Sequence, residues 1–306
     1  MQRSNKKLVA YLVSLLLLLS LFSGFQNAYA NGAVAPLVET QWLADNLKKP
    51  DIRILHIGEV ENNFNAKHIP GSVFLNVGDL MGLLGNGSMA PDKAKFEGTM
   101  SRLGIDNDAH VVIVGSATGT PFPVTAFWLM KSQGHNKVSL LNGGVTKWVN
   151  ENRQMTGDPA SIKTSKYTAK PDLSVFADAK YVLANIKNPK VAILDVRGAD
   201  EYLGANAIGM NKRTGHIPGA VNLDSMPTSN NNDGTFKSVK DLQAAYAAKG
   251  VTKDKEVITY CQGGVRAANT YFALKHILGY PNVRNYVGSW GEWGDQLDPA
   301  KYPAEK

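Results

Sequence analysis

What most narrows the fold of this chain is an ordered set of short motifs that occurs twice. The first half carries the apolar run Ile52-Arg53-Ile54-Leu55-His56-Ile57, then His68-Ile69-Pro70-Gly71. Two further buried runs follow, Val111–Val114 and Val138–Leu141, and the half closes on Gly143-Gly144-Val145-Thr146-Lys147-Trp148. The second half repeats the order with Val191–Val196, His216-Ile217-Pro218-Gly219, Val257–Tyr260 and Gly288-Ser289-Trp290-Gly291-Glu292-Trp293. Apolar runs this short, separated by helical stretches, read as parallel strands buried on both faces. The stretches predicted helical are Val38–Leu47, Phe96–Leu103, Thr125–Ser132, Ala177–Ile186, Val239–Lys249 and Ala267–Lys275. A repeat of roughly 120–130 residues has the size of a whole domain, not of a solenoid unit. The expected fold is therefore α/β, with two tandem domains at 31–155 and 172–306. Residues 156–171 form the linker, broken by Gly157, Pro159 and Pro171. Loops are expected at Gly78–Gly87 and at Thr228–Gly234.

Residues 1–30 differ in kind from the rest. Arg3, Lys6 and Lys7 precede the apolar stretch Leu8–Phe22, and Ala28-Tyr29-Ala30 has the small-residue pattern of a cleavage site. These are the three parts of a secretory signal peptide, and an apolar stretch of about 15 residues is short for a membrane span. Its removal would lower the formal charge from +7 to +4. The expectation is an exported protein, secreted across the inner membrane to the periplasm, with no stable membrane insertion after cleavage. A balance this mildly basic suits small anionic substrates. It is too weak to argue for nucleic acid, and no basic–aromatic cluster supports that partner.

There is one cysteine, Cys261, so no internal disulfide can form. A lone cysteine is commonly a small buried hydrophobe. The surroundings of this one point to chemistry. It follows the strand-like run Val257-Ile258-Thr259-Tyr260 and precedes Gln262-Gly263-Gly264-Val265-Arg266, after which a helix begins. A thiol between a strand end and a helix start meets free backbone N–H groups and the positive end of a helix dipole, both of which favour a thiolate. The six histidines are scattered and one cysteine cannot supply ligand spacing, so no metal site is expected. Neither a Walker loop nor a dinucleotide fingerprint is present, and no cofactor is expected.

Gly-His-Ile-Pro-Gly-Ala (215–220), Leu-Asp-Val-Arg (194–197), Cys-Gln-Gly-Gly-Val-Arg (261–266) and Gly-Ser-Trp-Gly-Glu-Trp (288–293), on a tandem frame, resemble the rhodanese sulfurtransferases. The resemblance covers nearly all of the chain after residue 30. It implies two rhodanese-like domains, each a mainly parallel sheet with helices on both faces, with catalysis in the second and a silent first domain. The first half agrees, since aligning the strands places Gly115 opposite Cys261, His56 opposite Asp195 and Gly58 opposite Arg197. Ser116, Thr118 and Thr120 lack a visible partner that would activate a hydroxyl.

On this resemblance Cys261 is the nucleophile, taking the outer sulfur of thiosulfate as a persulfide and passing it to cyanide or a thiol. The N–H groups of the loop Gln262, Gly263, Gly264, Val265 and Arg266 would stabilise the sulfur anion. Arg266 and Arg197 are the candidates for binding an anionic donor, with a salt bridge to Asp195 or Glu201 as the alternative for Arg197. Asp195 and Trp290 would support the site. His216 reads as a turn residue, because the silent half keeps a histidine at the same place. Cysteine phosphatases and arsenate reductases use a related loop but place five residues between cysteine and arginine, where this chain has four. A 3-mercaptopyruvate sulfurtransferase and a sulfur carrier that loads once without turnover are the other readings. The protein is expected to be a monomer.

Overall fold

The computed structural model describes residues 34–84, 91–115, 119–205 and 211–306. The signal peptide expected at residues 1–30 lies outside them. Among the described residues, ten strands form two five-stranded sheets. The first contains β1 (Leu37–Val38), β2 (Ile52–Gly58), β3 (Ser72–Asn76), β4 (His110–Gly115) and β5 (Val138–Leu141), in the order β1-β5-β4-β2-β3. The second contains β6 (Phe176–Ala177), β7 (Val191–Asp195), β8 (Val221–Asn222), β9 (Glu256–Tyr260) and β10 (Val283–Tyr286), in the matching order β6-β10-β9-β7-β8. All pairings are parallel. The central strands are the continuous apolar runs that such sheets require: Val111 to Val114 and Val257 to Ile258 are fully buried.

The registers relate the halves residue by residue. His56 pairs with Val114 in the first sheet, and Asp195 pairs with Tyr260 in the second. Gly115 therefore occupies the place of Cys261, and Gly58 the place of Arg197, as the sequence alignment has it. Both lie at the carboxyl end of a sheet, where α/β folds place their sites.

Capping chemistry sets several helix starts. The carboxylates of Asp92 and Asp178 accept from the N–H groups of Lys95 and Tyr181, and the Ser238 hydroxyl accepts from that of Asp241. Three sequence expectations are corrected. Residues Val77–Leu84 form a helix where a glycine-rich loop was expected, because Leu80, Leu83 and Leu84 make one buried face that outweighs Gly78 and Gly82; residues 85–90 lie outside the described part. Val38 and Ala177, expected in helices, belong to two-residue edge strands. Ser225–Ser229 form a short helix that includes the start of the expected loop at 228–234.

Within the compact unit Pro36–Lys306 one hydrophobic cluster spans both domains, and a second, around Ile193, Tyr260, Trp290 and Trp293, lies in the second domain. The helix Phe122–Ser132 of the first lies against Val265–Phe272 of the second. Phe127 meets Phe272 edge-on at 4.8 Å between ring centroids, and Trp128 meets Phe176 at 4.9 Å. The segment 156–171 is strapped along the first domain. The Ser165 N–H donates to the Ser101 carbonyl at 3.0 Å, and Tyr167 and Ala169 are buried.

Burial holds the pKa of His56, His110 and His135 near 4 and that of His276 near 3, so all four stay neutral in the fold. In the unfolded chain they titrate near 6.5. The unfolded state therefore binds more protons below that value, and stability falls as pH drops from about 6.5 towards 4. The melting temperature should be lower at pH 5 than at pH 7; equal values would show that these histidines take up no excess protons on unfolding.

Candidate active site

Cys261 follows the last residue of β9 and is 1% exposed, so bulk solvent barely reaches the sulfur. The chain then turns through Gln262 and Gly263 to Gly264, which has φ +80° and caps the helix Val265–Phe272. A side chain at Gly264 is excluded twice, by the left-handed backbone and by Val287, whose Cα would lie 2.9 Å from an added Cβ.

The direction of the loop's N–H groups follows from where its carbonyls go. The N–H of Trp290 donates to the Cys261 carbonyl at 2.9 Å, that of Gly291 to the Gln262 carbonyl at 2.9 Å, and Asn285 Nδ2 to the Gly264 carbonyl at 3.0 Å. A trans peptide carries its C=O and N–H on opposite sides. Three carbonyls drawn towards one wall therefore turn the N–H groups of Gln262, Gly263 and Val265 away from it. None of these three has a protein acceptor among the described residues. Grouped N–H donors at the positive end of a helix make an anion-binding concavity.

The two arginines are both paired. Arg266 makes a bidentate bridge to Glu201, Nη1 to Oε2 at 2.7 Å and Nη2 to Oε1 at 3.0 Å. Burial works against its charge, but the Glu201 hydrogen bonds and the nearby Cys261 and Glu201 charges outweigh this and hold its pKa above the usual arginine value. Burial and the charge of Glu201 raise the Asp224 carboxyl above its ordinary value, while Arg266 pulls it back. An end-on bridge uses two of the five guanidinium donors, so Glu201 leaves the Nε edge of Arg266 unused.

Arg197 is 1% exposed and Asp195 fully buried. Arg197 Nη2 donates to Asp195 Oδ2 at 2.6 Å and to the Gly215 carbonyl at 2.7 Å, and Nε also donates to the Asp195 carboxylate. The guanidinium lies 4.8 Å from the ring centroid of Trp290 and 5.8 Å from that of Tyr260. Of the two sequence readings for Arg197, the geometry is that of the Asp195 salt bridge. Trp290 is fully buried over this pair, its indole N–H donating to the Arg213 carbonyl, so it backs the site without forming an open wall. Tyr260 accepts from the Ile217 N–H, and burial together with Asp195 raises its pKa well above 10.

His216 bonds through Nδ1 to the Tyr202 carbonyl and stacks on the Tyr202 ring at 3.7 Å; His68 does the same with Phe64 at 4.1 Å. Each histidine holds the turn of its own domain. Gln262 turns its side chain to Asn211 in a reciprocal amide pair, at 2.7 and 3.1 Å.

Sequence reasoning missed Glu201 as the partner of Arg266, along with Asn211, Asp224 and Ser289. Glu201 lies 65 residues before Arg266 and four after Arg197, a spacing that pointed to the wrong arginine. A shallow cleft of about 40 Å³ lies at the end of β4, lined in part by Gly115, Thr120, Asn142, Phe236 and Asn269 and not by Cys261. None of the described residues that line it is ionisable.

With this geometry in place, comparison with known proteins identifies the class. The model of the rhodanese-like domain matches twice, at residues 39–151 and 178–296, and the chain belongs to that family. Two similar sequences narrow the relation. The "Sulfur carrier protein TtuD" of Thermus thermophilus is 37% identical over 278 residues, covering 85% of this chain and 93% of that protein. A Mycobacterium tuberculosis protein named "Putative thiosulfate sulfurtransferase" is 35% identical over 268 residues, covering 84% and 94%. Among solved structures, the 3-mercaptopyruvate sulfotransferase SseA of Escherichia coli is similar with a TM-score of 0.73 and 27% identity, covering 84% of this chain and 99% of that one.

Proposed function

We propose that the protein is an exported sulfurtransferase that moves a sulfane sulfur from thiosulfate to cyanide or a thiol through a persulfide on Cys261. The observation that carries this reading is the cysteine at a strand end, with the N–H groups of Gln262, Gly263 and Val265 turned away from the carbonyl-binding wall. In the first half-reaction the Cys261 thiolate attacks the outer sulfur of thiosulfate. The Cys261–sulfur bond forms, the sulfur–sulfur bond of the donor breaks, and its electron pair leaves with sulfite. The terminal sulfur of the persulfide then carries the negative charge, and the loop N–H groups stabilise it as an oxyanion hole stabilises oxygen. In the second half-reaction cyanide or a thiolate attacks that sulfur, and the Cys261 thiolate departs. No electrons enter or leave the cycle, and the kinetics are ping-pong. Residues 1–30 act as the export signal and place the enzyme in the periplasm, where a thiol that solvent barely reaches is protected from oxidation.

Mass spectrometry after exposure to thiosulfate, together with the thiosulfate:cyanide assay, tests this reading. One added sulfur on Cys261 and repeated turnover are expected; no added sulfur would sink it. The relationship to a protein named as a sulfur carrier supports one other reading, in which the chain loads a single sulfur and hands it only to a protein partner. Loading without turnover on small acceptors would favour that one. A clear kcat/KM preference for mercaptopyruvate would reassign the donor.

Arg266 binds the donor through the edge that Glu201 leaves open. Arg266→Ala should raise KM for thiosulfate by about ten-fold or more, the effect of losing one charge-assisted bond, with a smaller change in kcat. An unchanged KM would remove Arg266 from donor binding.

A further inference from the structure

We infer that Ser289 is a positioning residue of the sulfur-transfer site, inserted into the sheet to aim the cysteine loop. The inference rests on the function proposed above and extends it to a residue outside the loop. Its first support is the ladder between β9 and β10. The Val257 N–H donates to the Asn282 carbonyl at 2.9 Å, and Val257 and Thr259 stand opposite Val283 and Asn285. The two-residue period of a parallel ladder makes the Cys261 N–H and the Tyr286 carbonyl the next rung. That rung is not closed directly. The Cys261 N–H donates at 3.1 Å to Ser289 Oγ, and this hydroxyl donates at 2.7 Å to the Tyr286 carbonyl. The same oxygen accepts the Gly264 N–H at 3.0 Å. One buried hydroxyl thus splits the last rung and ties the first residue of the loop to the residue that caps the helix.

The second support is the backbone. Ser289 has φ +53°, and the only other non-glycine residue at positive φ among the described residues is Asn152. Asparagine visits that region readily; serine rarely does. The silent half provides an internal control. Its register pairs Ile113 with Leu140 as Thr259 pairs with Asn285, which places Gly144 opposite Ser289. Gly144 has φ +57°. Both turns need the left-handed conformation, and the half without a cysteine meets it with glycine. A Cβ built on Gly144 would come within 3.1 Å of the Gly115 carbonyl, beside the counterpart of Cys261. The domain that carries the thiol thus holds a serine in a conformation better suited to glycine, and its hydroxyl reaches the two ends of the loop. Strain of this kind, held by the surrounding structure, is a mark of functional sites.

With Ser289 taking the Cys261 and Gly264 N–H groups, and Trp290 and Gly291 taking the Cys261 and Gln262 carbonyls, the N–H groups left to the sulfur are those of Gln262, Gly263 and Val265. Removing the hydroxyl lets the rung close directly and frees the loop from this arrangement.

The test compares full-length wild type with Ser289→Gly and Ser289→Ala. Sulfur loading of Cys261 is followed in single turnover by mass spectrometry, across donor concentrations, alongside thermal melting. Ser289→Gly relieves the backbone strain and should melt at or above the wild-type temperature. Its saturating loading rate should nevertheless fall by about ten-fold or more, with the half-saturating donor concentration changed far less, as expected when anion-stabilising donors lose their aim. Ser289→Ala keeps the strain, so it should load as slowly and melt lower. A Ser289→Gly protein that loads at the wild-type rate overturns the inference, as does a loss of loading that merely follows a fall in melting temperature. If the wild type itself takes no sulfur from thiosulfate, mercaptopyruvate or a small persulfide, the sulfur-transfer reading fails, and the role given to Ser289 goes with it.

Discussion

Cys261→Ser should abolish sulfur loading and lower thiosulfate:cyanide turnover by roughly ten-thousand-fold or more, the scale seen when a covalent nucleophile is removed. The chain has no other thiol to take its place. The pseudo-equivalent strand end in the first domain carries Gly115, and a Cβ added there would lie 2.4 Å from Pro123 Cγ. A compensating Gly115→Cys change would therefore have to displace the helix start at Pro121–Pro123 before it could present a sulfur. Stability should hardly change. Serine is close to cysteine in volume, and the first domain folds around glycine at this point. The measurement pairs melting with mass-spectrometric sulfur counting. Residual turnover of Cys261→Ser within ten-fold of wild type would mean that the sulfur travels by another route, and the persulfide scheme would be lost.

How far the sequence foretold this arrangement depends on the range of the signal. The five strands β2, β4, β5, β7 and β9 were legible because buried parallel strands are written as unbroken apolar runs, and because two copies of one plan check each other; β3, β8 and β10 were not read as strands. The edge strands Leu37–Val38 and Phe176–Ala177 were not legible, since two residues carry no period. The helix Val77–Leu84 was hidden by Gly78 and Gly82, whose poor helix propensity masked a leucine face that only burial reveals. At the site, everything local in sequence was visible: the thiol, the glycines that follow it and Arg266 five residues on. What was missed acts across the fold. Glu201 reaches Arg266 from another segment, and Ser289 reaches Cys261 across 28 residues. A serine in a Gly-Ser-Trp motif gives no sign that its φ is positive. The one sequence clue was the comparison with Gly143-Gly144 in the first half, which marks the turn as one that prefers glycine.

The second large effect is expected on stability. Arg197→Met should destabilise the protein by about 3–5 kcal/mol, the range for breaking one side of a buried ion pair. The pair qualifies because the Arg197 and Asp195 side chains are 2% and 0% exposed, so solvent screens neither charge. Loss of the guanidinium leaves the Asp195 carboxylate buried without its main partner and leaves the Gly215 carbonyl without Arg197 Nη2. It also removes the cation stacked on Trp290 and Tyr260. Arg197→Lys keeps the charge but cannot form the fork, and should lie between. The double change Arg197→Met with Asp195→Leu removes both charges and should recover much of the loss, because the cost of the single change comes from the stranded carboxylate. Chemical denaturation of the wild type and these three variants measures the differences. A single variant within 1 kcal/mol of wild type would mean that the pair contributes little to the fold, and that the first domain, with His56 and Gly58 in the same places, lacks the pair because neither domain needs it for folding. Recovery in the double variant without recovery of sulfur loading would assign the pair a second task, holding the end of β7 in register with the cysteine loop that follows β9.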